Sequence, residues 1–124
     1  VLDLFAVQLH GGETPEYIAM LRQALPASCQ IWLACNSQAS LPTTLPQHID
    51  QLVIDNMQDG NGGTGKSFDW GTVRHYGIRQ HCLLAGGISP SNVQMARQTG
   101  LSGLDVSSGV ETEPGIKDLA LIKH

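Results

Sequence analysis

Basic side chains are scarce: Lys and Arg number 7 in 124 residues against 11 Asp and Glu, a formal net charge of −4. So few cations cannot neutralise a run of phosphates, which argues against nucleic-acid binding. Charged residues make up 15% of the chain, below the roughly 25% usual in soluble domains, and charge runs are missing. No stretch approaches the ~20 apolar residues of a membrane span, and no signal-peptide pattern opens the chain. A soluble, cytoplasmic protein is the expectation. Cysteine is limited to Cys29, Cys35 and Cys82, without a C-x-x-C spacing or a neighbouring His pair. Neither a disulfide framework nor a zinc site is expected, and the thiols should be reduced. His10, His48, His75, His81 and His124 are scattered without ligand-like spacing, so no metal is expected.

What is plentiful is glycine, 14 residues, and short apolar runs: Leu4–Leu9, Ile31–Cys35, Leu52–Ile54, Cys82–Ala85 and Gly103–Val106. Continuous hydrophobicity is the mark of strands covered on both faces, hence of a parallel sheet under helices. Between the runs lie helical patterns. Glu13–Leu25 has Thr14 as cap, Pro15 in the first turn and Pro26 as stop. A second helix is predicted over Ser91–Gln98, capped by Ser89 and ended by Gly100. A short one is predicted over Asp69–Tyr76, and a last from Gly115 onward. Asn36–Gln51, with Leu41, Leu45 and Ile49 in helical register but Pro42 and Pro46 among them, reads as loop or a degenerate helix. The length suits one domain. The start at Val1 and the end inside a helical pattern lead us to expect part of a longer chain.

The polar candidates all lie just after apolar runs: His10-Gly11, Asp55-Asn56, Gly86-Gly87 and Ser107-Ser108-Gly109. In parallel α/β architectures ligands bind beyond the carboxyl ends of the strands. Gly86 and Gly87 can bring backbone N–H groups close to an anion, and Ser107, Ser108 and Gly109 can add further donors. Such a pair of loops after consecutive strands fits the phosphate site of many (β/α)8 barrels. Asp55, at the pocket floor, reads either as a general acid with a raised pKa or as a carboxylate accepting N–H bonds from the next loop. Asp105 has the same double reading, with a sugar hydroxyl as its ligand. Phe68, Trp70 and Trp32 read as core. Gly60–Ser67 satisfies the written patterns of nucleotide-binding loops. Residues 56–59 separate it from the preceding run, and Asp69 is the better cap for the short helix after it, so a glycine-rich flap over the pocket is the preferred reading.

Val7-Gln8-Leu9-His10-Gly11, Gly62-Gly63-Thr64-Gly65 with Phe68-Asp69-Trp70, Leu84-Ala85-Gly86-Gly87-Ile88 with Pro90 and Asn92-Val93, and Gly103 to Glu111 with Pro114-Gly115 and Lys117-Asp118 after it resemble phosphoribosylanthranilate isomerase, end to end. The resemblance implies an incomplete (β/α)8 TIM barrel, about strands four to eight, as the C-terminal part of that enzyme. A fusion with indole-3-glycerol-phosphate synthase would be its setting. It implies the Amadori rearrangement of phosphoribosylanthranilate in tryptophan biosynthesis, with no cofactor. Carried over by match, Asp55 is the general acid, Gly86, Gly87, Ser107, Ser108 and Gly109 hold phosphate, and His10 and Asp105 line the pocket. The family's basic cysteine and its anthranilate-binding arginine have no counterpart here, so the isolated chain is expected to be inactive and prone to aggregate. The alternatives are a non-catalytic phosphate-binding module and a fragment of a P-loop NTPase.

Overall fold

The computed structural model describes residues 3–55 and 69–123. Five strands, β1 (Ala6–Leu9), β2 (Gln30–Asn36), β3 (Gln51–Asp55), β4 (Cys82–Leu84) and β5 (Gly103–Leu104), form one sheet. All pairs are parallel and the strands lie in sequence order. A parallel neighbour requires a crossover that carries the chain back to the starting edge, so unbroken order places all five carboxyl ends on one rim. The parallel sheet is what the apolar runs lead one to expect, and the part of a (β/α)8 cylinder is what the resemblance implies.

The pleat sorts the strands into two faces. Leu52 and Ile54 of β3 are fully buried and join Ile31, Leu84, Ile18 and Ala96 in the main core. Val53, equally buried, aligns with Ala34 on one side and Leu83 on the other, and so belongs to the opposite face. Burial of three consecutive residues shows that β3 is shielded from solvent on both faces.

The crossover α1 (Pro15–Ala24) forms where the proline and the 3.6-residue periodicity after it predict a helix. Thr14 Oγ1 accepts from Tyr17 N at 3.3 Å and Ile18 enters the core. The Arg22 guanidinium ties off the far end, donating to the Cys29 and Pro26 carbonyls. The segment from residue 37 to 50 is irregular, as its prolines predict.

Three expectations need correction. The predicted helix over Ser91–Gln98 shrinks to α2 (Val93–Arg97). Ser89 does not cap it with its side chain; its Oγ pairs with Ser91 Oγ, while its carbonyl receives the N–H groups of Asn92 and Val93. At the other end Thr99 Oγ1 donates back to the Ala96 carbonyl at 2.7 Å and Gly100 turns left-handed. The Asp69–Tyr76 segment is one 3-10 turn, Trp70–Val73, capped by Asp69. The last helix, α3 (Leu119–Lys123), starts later than Gly115, because a two-stranded antiparallel hairpin, β6 (Glu111–Glu113) and β7 (Ile116–Lys117), occupies the segment before it. Trp70 is buried in the core. Trp32 is half-buried, with its Nε1 donating to Gln30 Oε1 at 2.7 Å and Phe5 against it edge-on. Phe68 and Gly60–Ser67 lie outside the described residues.

Candidate functional site

Among the described residues, the rim at the carboxyl ends carries the polar candidates read from the sequence, while Asn56 lies outside them. β1 runs into His10, which is exposed, β3 ends on Asp55, β4 leads through Ala85 into Gly86, and β5 into Asp105. Backbone bonds extend the ladder beyond the formal strand ends: Ala85 N donates to Ile54 O and Asp105 N to Leu84 O, both at 2.8 Å. Alternation from Val53 and Leu83 therefore puts Asp55 and Asp105 on the face opposite the helices, the concave side of the cylinder. Asp55 is half-buried, its Oδ1 sheltered from solvent and its carbonyl accepting from Ser37 N at 2.8 Å. Asp105 is exposed.

Two loops rise beside these carboxylates. After β4, Gly86 and Gly87 both adopt positive φ, 85° and 70°, a conformation open to glycine at little cost. Asn92 braces this turn from the start of α2. Its Nδ2 donates to Gly87 O at 2.8 Å and its Oδ1 accepts from Ser89 N at 2.9 Å. After β5, Ser107, Ser108 and Gly109 lead into a 3-10 turn, Ser108–Val110. The two loops touch: a Cβ placed on Gly109 would lie 1.7 Å from the Ile88 carbonyl oxygen. The two donor loops thus form one continuous surface, which requires glycine at position 109.

At the opposite side of the rim the loop after β1 closes on itself. Glu13 Oε1 accepts from His10 N at 3.0 Å, and its Oε2 from Gly11 N and Gly12 N at 2.9 and 3.0 Å. Partial burial raises the Glu13 carboxyl pKa, but the N–H groups of His10, Glu13, Gly11 and Gly12 outweigh it and hold the carboxyl below its ordinary value. His10, Glu13, Leu33, Asn36 and Leu41 help to line a cavity of about 340 Å3 there.

Sequence reasoning missed Asn92 and Glu13 as site-shaping residues. Both act on backbone groups within five residues, and the signal was a polar side chain of Asx or Glx type beside a Gly-Gly pair. Cys35 and Cys82 are poor candidates for chemistry. Burial pushes the Cys35 thiol up, and burial together with the charge of Cys35 pushes Cys82 up to about 11, away from the thiolate that a base or nucleophile needs. Among the described residues no cluster of three His, Cys, Asp or Glu could hold a metal, and no helix is long and apolar enough to cross a membrane.

The sequence pattern of the family described as "N-(5'phosphoribosyl)anthranilate (PRA) isomerase" matches residues 1–124. A tryptophan biosynthesis protein TrpCF of Yersinia pestis is 48% identical over 117 residues, 94% of this chain and 24% of the relative. That of Salmonella typhi is 45% identical over 122 residues, 98% of this chain and 26% of the relative. The chain spans about a quarter of the length of these curated relatives. Among solved structures, TrpF from Jonesia denitrificans superposes with a TM-score of 0.71 at 34% identity, covering 95% of this chain and 56% of that one. A phosphoribosyl anthranilate isomerase in complex with reduced 1-(o-carboxyphenylamino)-1-deoxyribulose 5-phosphate superposes with a TM-score of 0.66 at 27% identity, covering 97% and 56%.

Proposed function

The chain belongs to the N-(5′-phosphoribosyl)anthranilate isomerase family, and from that premise we propose that it forms the C-terminal portion, strands four to eight, of an isomerase barrel that converts an N-phosphoribosyl arylamine into its 1-deoxyketose. The observation that carries the reading is the contact of Gly109 with the Ile88 carbonyl. It joins two N–H-rich loops into one anion cradle on the rim that also bears Asp55.

The chemistry is an internal redox shift. An acid protonates the furanose ring oxygen, the C1–O bond breaks and a Schiff base forms. A base then removes the C2 proton to give an enolamine, and protonation at C1 with loss of the C2 hydroxyl proton completes the ketose. Hydrogen moves from C2 to C1, so no external electron acceptor is consumed. Asp55 is the acid. Its sheltered Oδ1 and its place on the concave face suit a carboxyl that hands a proton to a bound substrate. Gly86, Gly87, Ser107, Ser108 and Gly109 hold the 5′-phosphate through backbone and hydroxyl donors. His10 and Asp105 line the mouth. The base comes from the part of the whole protein outside this chain.

The names of the relatives and the quarter of their length that this chain spans support a whole protein that also carries indole-3-glycerol-phosphate synthase. Asp55→Asn in the whole protein tests the assignment. Turnover should fall by about 100-fold or more while affinity for a reduced product analogue is retained. Unchanged turnover would remove Asp55 from its role, whereas a wild-type protein that binds phosphate without turnover would leave a phosphate-binding module as the better reading.

A further inference from the structure

Lys117 lies in β7, ten residues beyond Ser107, and nothing in the reaction scheme uses it. Its ammonium donates to the Ser107 carbonyl at 3.0 Å and to Ser107 Oγ at 3.2 Å, and it pairs with the Glu111 carboxylate. The second oxygen of Glu111 accepts from Gly115 N at 3.2 Å, and Asp118 N donates to Val110 O at 2.8 Å. The β6–β7 hairpin thereby clasps the 107–110 turn at both ends, by Lys117 at Ser107 and by Asp118 at Val110.

We propose that Lys117 is a positioning residue for the phosphate cradle: it fixes the Ser107 backbone and orients the Ser107 hydroxyl as a hydrogen-bond donor toward the bound phosphate. The inference rests on the isomerase reading for its ligand. A serine hydroxyl has one proton and two acceptor lone pairs, whereas lysine only donates. An ammonium held at Ser107 Oγ therefore takes up a lone pair and leaves the hydroxyl proton directed elsewhere. A phosphate oxygen, which only accepts, is the complementary partner on the open side. Because Glu111 pairs with Lys117, the net charge delivered to the cradle is small, and the effect is geometric rather than a general attraction for anions.

A lysine that merely staples the hairpin would alter melting without altering ligand affinity, and this separates the two roles. In the whole protein, KM and kcat for the phosphoribosyl arylamine and the Kd of inorganic phosphate are measured for wild type, Lys117→Met and Lys117→Arg. Lys117→Met should raise KM and the phosphate Kd about tenfold with kcat changed by less than about threefold, and Lys117→Arg, which keeps donors for Ser107, should recover most of the loss. Unchanged KM and phosphate Kd in Lys117→Met, or a fall in kcat at constant KM, would overturn the proposal. If Lys117→Met does not fold, Lys117→Ala, which also lacks a donor, decides by the same phosphate Kd: several-fold weaker supports the role, unchanged refutes it. A wild-type protein with no turnover would sink the isomerase reading alone, since the phosphate Kd ratio still reports on Lys117.

Discussion

At the scale of single residues, the candidate site depends on positions where one substituent more or less decides the geometry. Gly109 is the sharpest case, since any Cβ there collides with the Ile88 carbonyl and must push the two donor loops apart. Gly109→Ala in the whole protein should weaken binding of a phosphorylated product analogue at least about tenfold, measured by calorimetry, with the overall fold kept. Glu13 offers a test by pH. Its carboxyl pKa is lowered in the folded protein, so its contribution is present above the ordinary glutamate range and is lost as pH falls through the lowered folded value. The gap in Tm between wild type and Glu13→Gln should therefore be open at pH 7 and narrow below about pH 4. A gap that stays constant on acidification would mean that the carboxylate charge is not what holds the His10–Gly12 loop.

Elements explain how much of the fold is legible in the sequence. Thr14 caps α1 through Tyr17 N, and Thr14→Ala should cost about 1 kcal/mol in chemical denaturation, with Thr14→Ser close to wild type. That cap, the proline at the first turn and a ten-residue amphipathic stretch make α1 legible to within a residue or two. The five strands are legible for the same kind of reason, since Leu52, Val53 and Ile54 are apolar in succession and each is buried. The β6–β7 hairpin is not. Its strands of three and two residues carry Glu111, Thr112, Glu113, Ile116 and Lys117, almost all exposed, so neither alternation nor an apolar run marks them. α2 is shorter than its pattern suggests because Asn92 turns its side chain back to Ser89 and Gly87. The rim residues are legible because strand ends announce themselves. Their mutual contacts are not, because the Gly109–Ile88 approach joins separate repeats and depends on backbone, not on side-chain type.

The whole molecule is governed by its open edges. Among the described residues β1 pairs with β2 and β5 with β4, leaving each with one unpartnered side. Exposed edges template association. The isolated 124-residue polypeptide should elute in size-exclusion chromatography ahead of a 13.3 kDa monomer, and it should show no isomerase turnover. A monomeric, active fragment would contradict both statements. Deep in the core, Leu52→Ala in the whole protein should cost 2–5 kcal/mol, about what is usual for a large buried aliphatic side chain, read from denaturant midpoints. The unbroken strand order bears also on how the protein is made. From β2 to β5 each strand pairs with its predecessor, so a strand leaving the ribosome meets a neighbour that has already emerged. Synthesis and assembly can advance together, one repeat at a time, with the last-made edge and that of β1 left for a chaperone to shield.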